Sequence, residues 1–168
     1  MEDEPKALYS VDTSSFIQLQ VMPRRTFGTL WQRLDALVDA GRLMVAEEVQ
    51  RELGDDTSED PVKWLRDHSG IIVPTEVVWP TGRLVANKYT DLVDLAKPNG
   101  SADPCVIALA LMERERQQSQ LWQSPVLVVA QERRKRPSKV AIPDACDDYG
   151  LECLNLQKFF EREGWEDL

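Results

Sequence analysis

Histidine is nearly missing from this chain: His68 is the only one in 168 residues. That removes most of the support for His-dependent catalysis such as a Ser-His-Asp triad. Cysteine is also sparse. Cys105, Cys146 and Cys153 are odd in number and lack metal-site spacing. They point to buried thiols in a reducing cytoplasm rather than to disulfides or zinc. No apolar run of about 18 residues occurs, so no membrane span is expected. The opening Met1-Glu2-Asp3-Glu4-Pro5-Lys6 is acidic and has no apolar stretch. It reads as a short solvated tail over residues 1–6, not as a secretory signal. No glycine-rich phosphate loop of either common type is present, which leaves nucleotide-binding folds without support. Internal repeats and low-complexity segments are absent too.

What remains is an acidic, ordinary globular composition. The net charge is −9 and the hydrophobic fraction 42%. The length fits one domain, taken as residues 7–168. Such acidity serves solubility, or reflects acids gathered to hold a cation. It argues against broad, non-specific nucleic-acid binding but leaves room for a local basic strip.

Strand and helix patterns alternate along the chain. Residues 7–11 form a short apolar strand. Residues 25–39 carry Phe27, Leu30, Trp31, Leu34, Leu37 and Val38 at helical spacing, with Gly41 ending the helix. A second strand over 42–46 leads into a helix over 47–53, stopped by Gly54. Pro61 starts another helix at a first-turn position. Ile71-Ile72-Val73 is apolar but short. The spacing predicts helices over 84–95 and 102–115, separated by a loop at 97–101. Residues 125–130 form an apolar strand suited to the buried part of a parallel sheet. A polar, basic loop over 131–139, a helix over 142–149, a strand over 151–156 and a helix over 157–163 complete the chain. This order predicts an α/β fold, a three-layer sandwich with a mostly parallel central sheet flanked by helices. The tryptophans Trp64, Trp79, Trp122 and Trp165 are expected mostly in the core.

The acids of interest stand where strands end. Asp12 follows the first strand and precedes Thr13-Ser14-Ser15. Glu48 and Glu52 follow the second strand, four apart on one helical face. Asp103 opens the strongest helix, and Glu132 lies just beyond the 125–130 strand. Parallel strands share one carboxyl edge, so Asp12, Glu52, Glu132 and, with its helix, Asp103 are expected to converge there. Each has an ordinary explanation as well. Asp12 and Asp103 suit helix N-caps, as does Asp144; Glu48 suits a solvated surface; Glu132 suits pairing with neighbouring arginines. Carboxylates crowded in one cleft need a counter-charge. Mg²⁺ or Mn²⁺ supplies it with oxygen ligands, which favours attack of water on a phosphodiester. The one dense basic run, Arg133-Arg134-Lys135-Arg136 with Lys139, suits phosphate contacts or a solvated loop. The Asp-x-Asp pair of haloacid-dehalogenase-like phosphatases is missing, because Ser14 occupies the second position.

Four stretches together resemble PIN-domain nucleases, including the VapC-type toxins. Tyr9-Ser10-Val11-Asp12-Thr13-Ser14 is similar to the opening strand and Asp-Thr-Asn signature of that family. Residues 45–53, ending Arg51-Glu52-Leu53, resemble its second strand and helix, and select Glu52 over Glu48. Ser101-Ala102-Asp103 through Ile107-Ala108 resembles its Ala-Asp-x-x-Ile-Ala segment. Val128-Val129-Ala130-Gln131-Glu132 resembles the strand followed by Thr-x-Asp or Thr-x-Asn. The resemblance implies a Mg²⁺- or Mn²⁺-dependent endoribonuclease, often dimeric, acting as a toxin restrained by an antitoxin that fills its acidic groove. It implies Asp12, Glu52, Asp103 and Glu132 as metal-holding catalytic acids. Thr13, Ser14 and the basic residues Arg133, Arg134, Lys135 and Arg136 are then expected near the RNA. Ser14, Ala130 and Glu132 depart from the family pattern, and motivate a second expectation: a module that binds RNA or a protein partner without cutting.

Overall fold

Strand β1 (Leu8–Val11) lies at the centre of a five-stranded sheet. With β2 (Leu43–Ala46), β3 (Ile72–Val73), β4 (Val126–Val129) and β5 (Glu152–Leu154), it forms the order β3-β2-β1-β4-β5, with every pairing parallel. This is seen in a computed structural model that describes residues 5–96, 101–132 and 140–168. Among these are eight α-helices: α1 (Thr13–Leu19), α2 (Gly28–Asp39), α3 (Glu47–Leu53), α4 (Asp60–Asp67), α5 (Thr75–Lys88), α6 (Asp103–Gln117), α7 (Ile142–Tyr149) and α8 (Leu156–Arg162). The molecule is the expected three-layer α/β sandwich.

Successive side chains of β1 point to opposite faces, as strand geometry requires. Tyr9 meets Phe159 of α8 edge-on at 4.7 Å between ring centres. Ser10 donates to the Val106 carbonyl of α6 at 2.8 Å. All four residues of β4 are buried between β1 and β5, which is why their sequence is a continuous apolar run. Where Tyr9 faces α8, its hydroxyl donates to Glu163, and the Arg42 guanidinium grips the same carboxylate with two nitrogens. Burial, then the Glu163 hydrogen bond, hold the Tyr9 phenol well above its ordinary pKa. Arg42 and Glu163 are both nearly buried. Glu163→Gln is expected to cost about 1–3 kcal/mol, the penalty of leaving buried charged donors under-satisfied, read as a lower urea midpoint.

One helix begins earlier than its periodicity predicts. Residues 84–95 read as helix, yet α5 runs Thr75–Lys88 and a short 3₁₀ turn covers Thr90–Leu92. Trp79-Pro80-Thr81-Gly82 reads as a break, because Pro80 deprives the Glu76 carbonyl of an amide. Tertiary packing offsets that loss. Val78 is fully buried, and a Cβ on Gly82 would stand 3.2 Å from Cys105 Sγ, so glycine permits the close approach of α5 to α6. The short run at 71–73 is an edge strand, paired Val45↔Ile72 and Ala46↔Val73.

The caps differ slightly from expectation. Asp103 is the first residue of α6, capped by Ala102, and not the cap itself. Asp144 sits in the first turn of α7 and accepts from the Ala141 amide at 3.0 Å. Both keep an acid at a helix N-terminus, where the dipole favours it. The four tryptophans expected mostly in the core divide evenly. Trp64 is buried and Trp165 packs against the core, whereas Trp79 and Trp122 are exposed. Cys105 and Cys146 are buried free thiols, whereas Cys153, expected buried too, is half-buried. No described helix is long and apolar enough to cross a membrane.

Candidate acidic site at the carboxyl edge of the sheet

Strand order reverses between β1 and β4, and their carboxyl ends flank the crevice where open α/β sheets place ligands. Asp12 follows β1 there. Its amide donates to the Val129 carbonyl at 2.9 Å, locking the end of β1 to the end of β4. The Asp12 side chain caps α1 with one oxygen only. Oδ2 accepts from the Ser14 amide at 3.1 Å and the Ser14 hydroxyl at 2.5 Å. Oδ1 is buried with no hydrogen-bond partner among the described residues. The residue as a whole is 2% exposed. Burial raises its pKa, the Ser14 hydrogen bonds oppose that, and the charge of Glu132 adds to it.

Ser14 replaces the asparagine of the resembling motif, and its hydroxyl has a definite task. It donates to Asp12 and accepts from the Gln131 amide at 3.0 Å. One hydroxyl thus ties the helix start to the segment after β4. Ala130 there is buried. Glu132, one residue beyond Gln131, accepts from the Ile142 amide at the start of α7 at 3.1 Å.

The other two predicted acids stand across Thr13. Its hydroxyl donates to Glu52 Oε2 at 2.7 Å, and the Ala102 amide donates to Glu52 Oε1 at 3.0 Å. Asp103 directly follows Ala102. Asp12–Thr13, Glu52 and Ala102–Asp103 are therefore linked by two hydrogen bonds and two peptide bonds. Thr13 and Ser14, expected near RNA, spend their hydroxyl protons on carboxylates and act as positioning groups. The basic residues Arg133, Arg134, Lys135, Arg136 and Lys139 lie outside the described residues.

As placed, no three His, Cys, Asp or Glu side chains among the described residues stand together as a group able to hold a metal ion. Glu52 and Glu132 each accept from a backbone amide. His68 is elsewhere, 3.3 Å from Asp35 and bonded to the Trp64 carbonyl.

Glu48 is the residue that sequence reasoning passed over. It is 5% exposed, not solvated, and neither carboxylate oxygen has a hydrogen-bond partner among the described residues. The Cys105 thiol lies beside it; burial first, then the charge of Glu48 and its contact with the thiol, push that thiol up to about 12. The available signal was its place two residues after β2, on the same helical face as Glu52.

Asp12 Oδ1 and both oxygens of Glu48 are buried acceptors that call for a cation or a proton. An all-carboxylate donor set suits a hard divalent ion. Comparison with curated proteins and with solved structures found no significant match. The sequence model of a domain of unknown function, DUF4411, matches residues 9–166, a span that holds every residue of this site. The chain belongs to the DUF4411 family.

Proposed function

We propose that the protein is a Mg²⁺- or Mn²⁺-dependent endoribonuclease of PIN type, acting as the toxin of a type II toxin–antitoxin pair. The observation that carries this reading is Asp12: a buried carboxylate at the switch point, with one oxygen fixed by Ser14 and the other unpartnered. Asp12, Glu52, Asp103 and Glu132 would hold the metal, and Glu48 joins them as a candidate. When bound, Mg²⁺ or Mn²⁺ neutralises these acids and supplies Lewis acidity toward a phosphodiester. Ser14 fixes the Asp12 carboxylate, and Thr13 fixes that of Glu52. The Asp12–Val129 and Ser14–Gln131 bonds keep the two strand ends in register. RNA is the substrate, gripped by the basic run, and a protein antitoxin is the partner that occupies the acidic edge. The test is cleavage of RNA with Mn²⁺ by wild type and Asp12→Asn; equal activity in the two proteins sinks the reading.

A second reading has its own support. The hydrogen bonds of Glu52 and Glu132 to backbone amides favour a module that binds RNA or protein without cutting. Wild-type protein that leaves RNA intact and takes up no Mn²⁺ is the outcome expected of that module.

A further inference from the structure

A groove of about 610 Å³ opens between α1 and α8, lined among others by Gln18, Gln131, Phe160, Glu161 and Trp165. Its size falls within the roughly 300–1,000 Å³ of small-molecule sites. It adjoins the acidic edge through two hydrogen bonds: the Gln131 amide donates to Ser14 Oγ, and Ser14 donates to Asp12. Resting on the ribonuclease reading above, we infer that this groove holds one unstacked guanine of the RNA substrate, beside the bond that is cut.

The lining chemistry selects a base over a phosphate. Glu161 and Glu166 repel phosphate, so the sugar–phosphate chain stays outside and a neutral ring enters. Trp165, half-buried, supplies aromatic surface backed by the buried Phe160, their rings 5.6 Å apart and inclined by 25°; single-stranded bases are recognised by stacking on such side chains. Guanine is distinguished by its edge. O6 accepts, while N1–H and the N2 amino group beside it donate. The Gln131 carbonyl oxygen is engaged by the Leu156 amide at 2.6 Å, which leaves its NH₂ group to donate to O6. The Glu161 carboxylate only accepts, and Gln157 Nε2 steadies it at 2.8 Å. A donor and a carboxylate lining one groove complement guanine. Uracil offers a single N3–H between two acceptors, so the carboxylate discriminates against it.

The test uses the intact chain and the four nucleosides, which carry no phosphate and need no metal. Titration followed by tryptophan fluorescence is expected to show saturable quenching by guanosine, at least tenfold tighter than by uridine. Trp165→Leu should remove the signal. Glu161→Gln alters an exposed side chain, so folding is retained, and it should erase the preference for guanosine over uridine. Three results overturn the inference: no guanosine binding at millimolar concentration, equal binding of uridine, or an arginine-rich peptide in the groove that guanosine fails to displace. The outcome is separable from the nuclease reading. Guanosine binding without any RNA cleavage retains the groove and rejects the nuclease; metal-dependent cleavage without base preference does the reverse.

Discussion

Asp12→Asn is expected to lower Mn²⁺-dependent RNA cleavage by about 100-fold or more while making the metal-free protein more stable. The two effects have one cause. Asp12 is buried, and its Oδ1 has no partner. A ligand lost from the site forfeits a few kcal/mol of transition-state stabilisation, at about 1.4 kcal/mol per tenfold. In the absence of metal the same carboxylate is a buried charge beside Glu132. Asparagine keeps an oxygen for Ser14 and replaces the unpartnered oxygen by a donor. The gain should be about 1–3 kcal/mol, or about 2–4 °C in Tm per kcal/mol for a chain of this size. The pH dependence has a fixed sign. The folded protein raises the pKa of Asp12 above its ordinary value of 3.8, chiefly by burial. The folded state therefore binds the proton more tightly than the unfolded chain does. Wild-type stability falls as pH rises from that ordinary value through the raised one. The advantage of Asp12→Asn is thus largest at neutral pH and disappears in acid. Unfolding in a chelator across pH 3–8 checks both statements, and a constant difference between the two proteins contradicts them.

Trp64→Ala should cost about 3–5 kcal/mol, as large-to-small changes of buried aromatic residues do. Trp64 is 1% exposed and stands against Trp31, with ring centres 6.0 Å apart, and near Phe16. Its indole nitrogen donates to Asp35 at 2.7 Å, so truncation also removes that hydrogen bond. Total stability of about 5–15 kcal/mol leaves little margin for that loss. Phe16 lies on α1, whose first turn carries Thr13 and Ser14. Loosening this cluster should therefore weaken metal binding as well as the fold. Trp122, 63% exposed, is the control: Trp122→Ala should shift stability by less than about 0.5 kcal/mol. Chemical denaturation of the two variants separates core from surface tryptophan.

The layered fold was readable because its signals are local. The helix over 47–53 is bounded as predicted, since Gly54 adopts φ 78°, which disfavours other residues. The 126–129 strand announces itself by burial on both faces. The start of α5 was hidden because its stabilisation is not local: Pro80 argues against a helix, and only the packing of Val78 and Gly82 against the rest of the molecule outweighs it. The site divides in the same way. Asp12 feels the charge of Glu132 because parallel strands share a carboxyl edge, a rule that sequence order alone can apply. Glu48 was legible only as one of two acids on a helical face. Which of them is sealed from water depends on where α6 and Cys105 pack. The hydrogen bonds of Glu52 and Glu132 to the amides of Ala102 and Ile142 connect residues 50 and 10 apart, and no motif encodes them.

Calorimetric titration of Mn²⁺ into the metal-free protein addresses the cation site itself. Wild type is expected to bind Mn²⁺ at micromolar to millimolar concentration, and Asp12→Asn to lose that binding although it is the more stable protein. No heat of binding up to millimolar Mn²⁺, or identical binding by both proteins, contradicts a metal centre built on Asp12.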